Sequence, residues 1–173
     1  MESLFKLFHL ENIHPILVHF PIALSILYAV LELIPFRKLR DNLFTTKAIL
    51  VILGTISIFA SKQAGEVAAL AYQDPAILKI INLHELFAKL SLIIFSLIFI
   101  FYLVQLSQKV KPKLFKSKTG KLCHLISSNP FILITLAVLG LISVSLTGAF
   151  GGMIVWGPQN DPFTTFTYFL FFK

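Results

Sequence analysis

Four long runs of apolar residues divide the chain, and polar or charged residues separate them. The runs lie at residues 16–36, 48–60, 90–104 and 131–144, and Glu32 is the one formally charged residue inside them. A helix needs about 20 mostly apolar residues to cross a bilayer. With their flanking residues, the runs predict spanning helices at 15–36, 46–71, 84–107 and 130–157.

The composition supports a membrane protein. Of the 173 residues, 57% are hydrophobic and 13% are charged, whereas a soluble domain carries about 25% charge. Short links between spans favour antiparallel neighbours. We therefore predict an all-α fold, a four-transmembrane-helix antiparallel bundle over residues 15–157. An interfacial N-terminal tail, 1–14, precedes it, and an aromatic C-terminal tail, 158–173, follows it.

The basic residues predict which way the spans point. Ten of the 15 lysines and arginines lie in the links 37–47 and 108–128. Because cytoplasmic loops are enriched in basic residues, we expect these links in the cytoplasm and both termini outside. The net charge of +7 then reflects loop topology and anionic lipid. No basic stripe interleaved with aromatic residues suggests binding to nucleic acid.

The C-terminal tail and the lone cysteine each limit what the chain can do. Residues 163–173 are rich in Phe and Thr but too short to cross as a helix. We expect them to lie at the membrane interface, with packing on a partner subunit as the alternative. Cys123 has no partner for an internal disulfide and no spacing for covalent haem attachment.

Polar and small residues gather at the outer end of all four predicted helices. Ionisable groups inside a bilayer usually face a bundle interior or a wet cavity, so this clustering predicts a site. The alternative is that these residues lie at an interface where polarity costs little. The candidate residues are His14, His19, Lys62, Gly65, Glu66, His84, Glu85, Lys89, Gly148, Gly151 and Gly152.

The histidines differ in their expected roles. Pro15 suits the start of a helix, which leaves His14 at its cap and His19 about one turn deeper. Pro21 removes a hydrogen bond to the carbonyl of Leu17 and predicts a kink. We expect His19 to face His84 from a neighbouring helix, with Glu66 or Glu85 orienting a ring nitrogen.

Small residues spaced three or four apart mark two of the helices. Such stripes usually indicate tight helix packing and less often leave room for a flat cofactor. The fourth span contains Gly148 and Gly152 in a G-x-x-x-G pattern. Gly152→Leu is therefore expected to open the bundle.

The run from His14 to Leu24, H-P-I-L-V-H-F-P-I-A-L, resembles the signature of a bacterial membrane family, domain-of-unknown-function family 2231. Residues 61–68, 83–88 and 147–156 are similar to its later motifs. The sequence departs from the pattern at Trp156 and Gly157, where the family tends to have Tyr, often followed by His. The resemblance implies a four-helix membrane domain and the importance of His14, His19, His84, Glu66 and the glycines, but it implies no activity.

Three functions remain open from the residues. The first is a redox subunit with a b-type haem or a metal in the outer leaflet, ligated by His19 and His84, with His14, Lys62 or Lys89 near the propionates. The expected partners of such a subunit are other subunits of a membrane redox complex. The second is a non-catalytic assembly or interaction subunit of a larger membrane complex. The third is a small-solute or proton-coupled carrier. No H-E-x-x-H, G-x-S-x-G or P-loop pattern occurs, so we do not expect an enzyme on its own.

Overall fold

The computed structural model describes residues 13–115 and 117–173, so most of the predicted interfacial tail 1–14 lies outside the described residues. Within those ranges the regular structure is helical. The α-helices are α1 (His14–Leu17), α2 (His19–Glu32), α3 (Arg37–Asn42), α4 (Phe44–Ala69), α5 (Pro75–Val110), α6 (Lys118–Ser127), α7 (Pro130–Trp156) and α8 (Pro162–Phe172), and a 3₁₀ turn covers Pro112–Phe115.

Four helical segments are long and apolar enough to cross a membrane: His14–Glu32, Phe44–Ala69, Pro75–Val110 and Pro130–Trp156. We call them spans 1 to 4. Spans 1 and 2, 2 and 3, 3 and 4, and 4 and 1 pack side by side, which closes a four-helix bundle. Spans 1 and 3 therefore lie diagonally across the bundle, and the expectation that they are neighbours is wrong.

The bundle has two chemically different ends. Spans 1 and 3 begin, and spans 2 and 4 finish, at the end that carries His14 and His84. We call this the histidine end. The other end carries the links rich in Lys and Arg, around residues 33–43 and 111–129, and we call it the basic end.

Span 1 is interrupted where Pro21 predicts a disturbance. Helix α1 ends at Leu17, Val18 is a turn residue, and α2 begins at His19. Because proline has no N–H, the Leu17 carbonyl loses its helical partner. The helix ends at Glu32, earlier than the predicted residue 36, because Pro35 disfavours helix in the residue before it.

Span 3 begins nine residues before the predicted residue 84. Asp74 caps the helix by accepting from the N–H of Ala76, and Pro75 occupies the first helical position. These are standard helix-start signals. Consequently His84 lies inside the helix, more than two turns from its start, where its side chain can face the bundle interior.

The predicted aromatic tail is a helix that packs on the chain's own fourth span. Asp161 forms a capping box with Thr164 at the start of α8. The Phe171 ring lies 5.3 Å from the Phe150 ring and 5.6 Å from the Phe87 ring, measured between centroids. Aromatic rings at such separations attract each other at their edges, so the tail contributes to the packing of the histidine end.

Candidate functional site

His14 is held against span 2 by a hydrogen bond and a close backbone approach. Its Nδ1 lies 2.9 Å from the carbonyl oxygen of Ser61. One turn further along α4, a Cβ added at Gly65 would come within 2.8 Å of His14 Cε1. Glycine at position 65 is therefore what allows the imidazole to lie directly on the helix backbone.

His84 is held against span 4 in the same manner. Its Nδ1 lies 2.9 Å from the carbonyl oxygen of Thr147. A Cβ added at Gly151 would lie 3.4 Å from His84 Cε1, so the ring also approaches the span 4 backbone closely. The expected partners of the rings, Glu66 or Glu85, are replaced by two backbone carbonyls.

The two imidazoles meet across the bundle diagonal. Their centroids are 6.1 Å apart and their planes cross at 85°. Because a carbonyl oxygen only accepts, each Nδ1 must carry the hydrogen that it donates. In the neutral ring each Nε2 then keeps its lone pair, which is the tautomer found in histidines that ligate metals.

A cavity of about 530 Å³ surrounds these rings and is lined by all four spans. Of the eleven residues predicted from the sequence, all but Lys89 line it: His14, His19, Lys62, Gly65, Glu66, His84, Glu85, Gly148, Gly151 and Gly152. The clustering expected at one end of the bundle is therefore present in the fold.

His19 contributes to the cavity wall, but His14 is the histidine whose ring meets His84. The side chain of His19 is exposed. A rotation of about 500° separates residues five apart on a helix, so the two histidines of span 1 face different directions. The structure therefore favours His14 over His19 as the partner of His84.

Charged residues at the histidine end pair along their own helices. Lys62 forms an ion pair with Glu66 on α4, and Lys89 Nζ lies 2.7 Å from Glu85 Oε1 on α5. The Lys62 side chain is mostly buried, whereas Glu85 and Lys89 are partly exposed. Lys62 and its partner Glu66 both line the cavity, so the wall carries an ion pair whose lysine could also face an anionic group of a bound molecule.

The glycines of the site have different roles. A Cβ at Gly148 would meet nothing within 4 Å, so this residue leaves open space. A Cβ at Gly152 would lie 3.6 Å from Thr164 Cγ2 of the C-terminal helix. The G-x-x-x-G pattern therefore combines a cavity position with a packing position on α8.

A buried polar cluster that was not predicted from the sequence lies at the basic end. Lys47 Nζ lies 2.9 Å from Glu32 Oε2, and the Tyr102 hydroxyl donates to the same oxygen at 3.1 Å. Lys47 falls where the predicted first link, 37–47, overlaps the predicted second helix, 46–71, and the structure places it in α4, where it is 5% exposed. The sequence signal that could have revealed the cluster is one glutamate, Glu32, and one lysine, Lys47, at the adjoining ends of spans 1 and 2.

Comparison with known proteins identifies the kind of protein. The model of a family described as "Predicted membrane protein (DUF2231)" matches residues 10–159. This match confirms the resemblance carried by the run from His14 to Leu24. No curated protein and no solved structure matches the chain.

Proposed function

This chain belongs to the DUF2231 family of membrane proteins, and on that premise we propose that it holds a cofactor, best a b-type haem, between His14 and His84. The observation that supports this proposal is the pair of imidazoles whose Nδ1 atoms both donate to backbone carbonyls. That arrangement fixes each ring and leaves each Nε2 free to ligate.

The number of protein ligands favours haem over a bare metal ion. A structural metal ion usually takes four protein ligands and a catalytic one about three. In the described part of the chain, no group of three or more His, Cys, Asp or Glu side chains has the geometry to hold an ion. A haem iron would take its other nitrogens from the macrocycle, so His14 and His84 would be enough to hold it.

The surroundings suit a flat, partly anionic molecule. The cavity volume of about 530 Å³ falls within the range of about 300–1,000 Å³ typical of ligand and cofactor sites. Gly148 leaves open space in its wall, and Lys62 supplies a cation there for a propionate. Reversible reduction of the iron would make the protein an electron carrier or a redox subunit.

Orientation follows from the basic links. In the fold, the links at the basic end, around residues 33–43 and 111–129, carry eight of the 15 basic residues, and cytoplasmic loops are enriched in such residues. We infer a bacterial cytoplasmic membrane location with the basic end inside. The histidine site then lies in the outer leaflet, accessible to electron donors or acceptors on that side.

An absorption spectrum tests the cofactor. The full-length protein is expressed with a haem precursor and purified in detergent, and its absorption spectrum is recorded before and after reduction with dithionite. The amount of haem per chain is determined from the absorbance of its pyridine complex. We expect a Soret band that shifts on reduction and about one haem per chain. A spectrum with no Soret band, together with no bound transition metal by elemental analysis, contradicts the proposal and favours an assembly role.

Histidine variants test which residues ligate. His14→Ala and His84→Ala are expected to lose the haem, whereas His19→Ala keeps it with a shifted spectrum. His124→Ala is the matched control, because His124 lies in α6 at the basic end. Retention of haem by His14→Ala with loss by His19→Ala would restore the pairing of His19 with His84.

A further inference from the structure

The basic end contains a buried ion pair, Glu32–Lys47, with few other titratable side chains around it. Glu32 is 1% exposed and Lys47 is 5% exposed. Among the described side chains, the titratable groups that face Glu32 are Lys47 of span 2, Tyr102 of span 3 and Tyr28 of span 1. Span 4 contains no titratable residue. Removing two charges from water costs several kcal/mol per ion, so such a pair is weak support for stability alone.

Two further buried hydroxyls lie on span 1, between the ion pair and the histidine end. Neither Ser25 Oγ nor Tyr28 OH has a hydrogen-bond partner in the described part of the chain. The two residues are 1% and 0% exposed. Buried polar groups are almost always hydrogen-bonded, and where the protein offers no partner, ordered water provides it. Two unpartnered hydroxyls therefore indicate internal water.

These groups form a line along one face of span 1. Glu32, Tyr28, Ser25 and Pro21 follow steps of three or four residues, which place consecutive members about 4.5–6 Å apart along the axis. The Ser25 and Tyr28 hydroxyls on this face have no protein partner, so internal water would complete their hydrogen bonds and link them along the line. Pro21 itself lines the histidine cavity, so the line connects the ion pair to that cavity.

We propose that Ser25 and Tyr28 hold a file of internal water that carries protons between the Glu32–Lys47 pair and the histidine cavity. During transfer each oxygen accepts a proton from one neighbour and releases one to the next. One proton therefore enters at the basic end, one leaves into the cavity, and no residue is altered. The file does not require a cofactor in the cavity.

Radiolytic hydroxyl labelling tests the water. X-ray pulses convert internal water to radicals that oxidise adjacent side chains, which mass spectrometry then locates. In the full-length protein in nanodiscs, we expect Tyr28 to be labelled several-fold more than Phe150, which is also 0% exposed. Ser25→Ala should reduce Tyr28 labelling several-fold, whereas Ser57→Ala should not, because Ser57 already donates to the Gly54 carbonyl. Tyr28 labelling equal to that of Phe150, or unchanged in Ser25→Ala, overturns the file.

Proton flux tests the path. The protein is reconstituted into phospholipid vesicles containing a pH-sensitive dye, and a potassium potential set with valinomycin drives protons across. We expect Tyr28→Phe to lower the protein-dependent flux at least tenfold, because it deletes the hydroxyl and keeps the ring. Tyr168→Phe makes the same chemical change in α8 and should leave the flux unchanged. Equal flux in the wild type and Tyr28→Phe, including no flux in either, overturns the proton path.

Discussion

The same substitution at two glycines of one cavity should have opposite effects on stability. Gly65 and Gly148 both line the cavity and both lie in spanning helices. Replacing a helical glycine with alanine stabilises by about 0.5–1 kcal/mol when the methyl group meets no obstacle. At Gly148 a Cβ meets nothing within 4 Å, so Gly148→Ala should show this gain.

At Gly65 the methyl group collides with His14. A Cβ there would lie 2.8 Å from His14 Cε1, and ordinary contact begins near 3.4 Å, so the ring must retreat by about 0.6 Å. Ser61 lies on the same helix as Gly65, so moving the ring away also lengthens the distance from His14 Nδ1 to the Ser61 carbonyl oxygen. That distance grows from 2.9 Å to about 3.5 Å, where a hydrogen bond is lost. Leaving a buried polar group unpaired costs about 1–3 kcal/mol. After the alanine gain, Gly65→Ala should lower stability by up to about 2.5 kcal/mol.

Thermal unfolding of the full-length protein in detergent measures both effects. For a chain of this size, 1 kcal/mol shifts the melting temperature by about 2–4 °C. Gly148→Ala should raise the melting temperature and Gly65→Ala should lower it. In a His14→Ala background the obstacle is gone, so Gly65→Ala should become stabilising, a coupling that the double-mutant cycle isolates. Stabilisation by Gly65→Ala with His14 present would refute the placement of the imidazole against α4.

Three further predictions concern other parts of the molecule. Cys123 is exposed in α6 at the basic end, so an impermeant maleimide should label it only after cells are permeabilised, and rapid labelling of intact cells would contradict the orientation. Phe171→Ala should lower the melting temperature, because its ring packs on Phe87 and Phe150, whereas Phe166→Ala, 64% exposed, should change it little. Hydrogen bonds from the Thr164 backbone N–H and hydroxyl hold the pKa of Asp161 below its ordinary value. Asp161 therefore stabilises α8 fully at pH values above the ordinary carboxyl pKa. The difference in melting temperature between the wild type and Asp161→Ala should shrink as the pH falls through the lowered pKa. A difference independent of pH would show that the carboxylate charge is not involved.

The spans and the location of the site could be predicted because each depends on local information. A run of apolar residues long enough to cross a bilayer is visible in the sequence, and polar residues at one end of each run belong to one level of the bundle. The early start of span 3 was also visible, in Asp74 followed by Pro75. It was missed because the hydropathy of the first turns is mixed, although capping and proline signals locate a helix start better than hydropathy does.

The partner of His84 could not be predicted in the same way. Which of two histidines on span 1 faces span 3 depends on the rotation of each helix, and the interruption at Val18 changes that rotation. Likewise Gly65 and Gly148 are the same residue type on similar helices, yet one contacts an imidazole and the other open space. Side-chain pairing across a bundle diagonal is long-range information that periodicity within one helix does not contain.

The two polar clusters of the bundle differ in how they satisfy their hydrogen bonds, and this difference bears on what each can do. At the histidine end, backbone carbonyls fix both rings, so the imidazoles keep one orientation and present fixed Nε2 atoms. At the basic end, Glu32 is held by side chains, the Lys47 ammonium and the Tyr102 hydroxyl, and the Tyr28 hydroxyl, one helical turn away on α2, has no partner in the described part of the chain. A rigid pair of nitrogens suits ligation, which requires fixed geometry. A cluster of rotatable donors and acceptors suits proton exchange, in which every hydroxyl must reverse its hydrogen bond after each transfer.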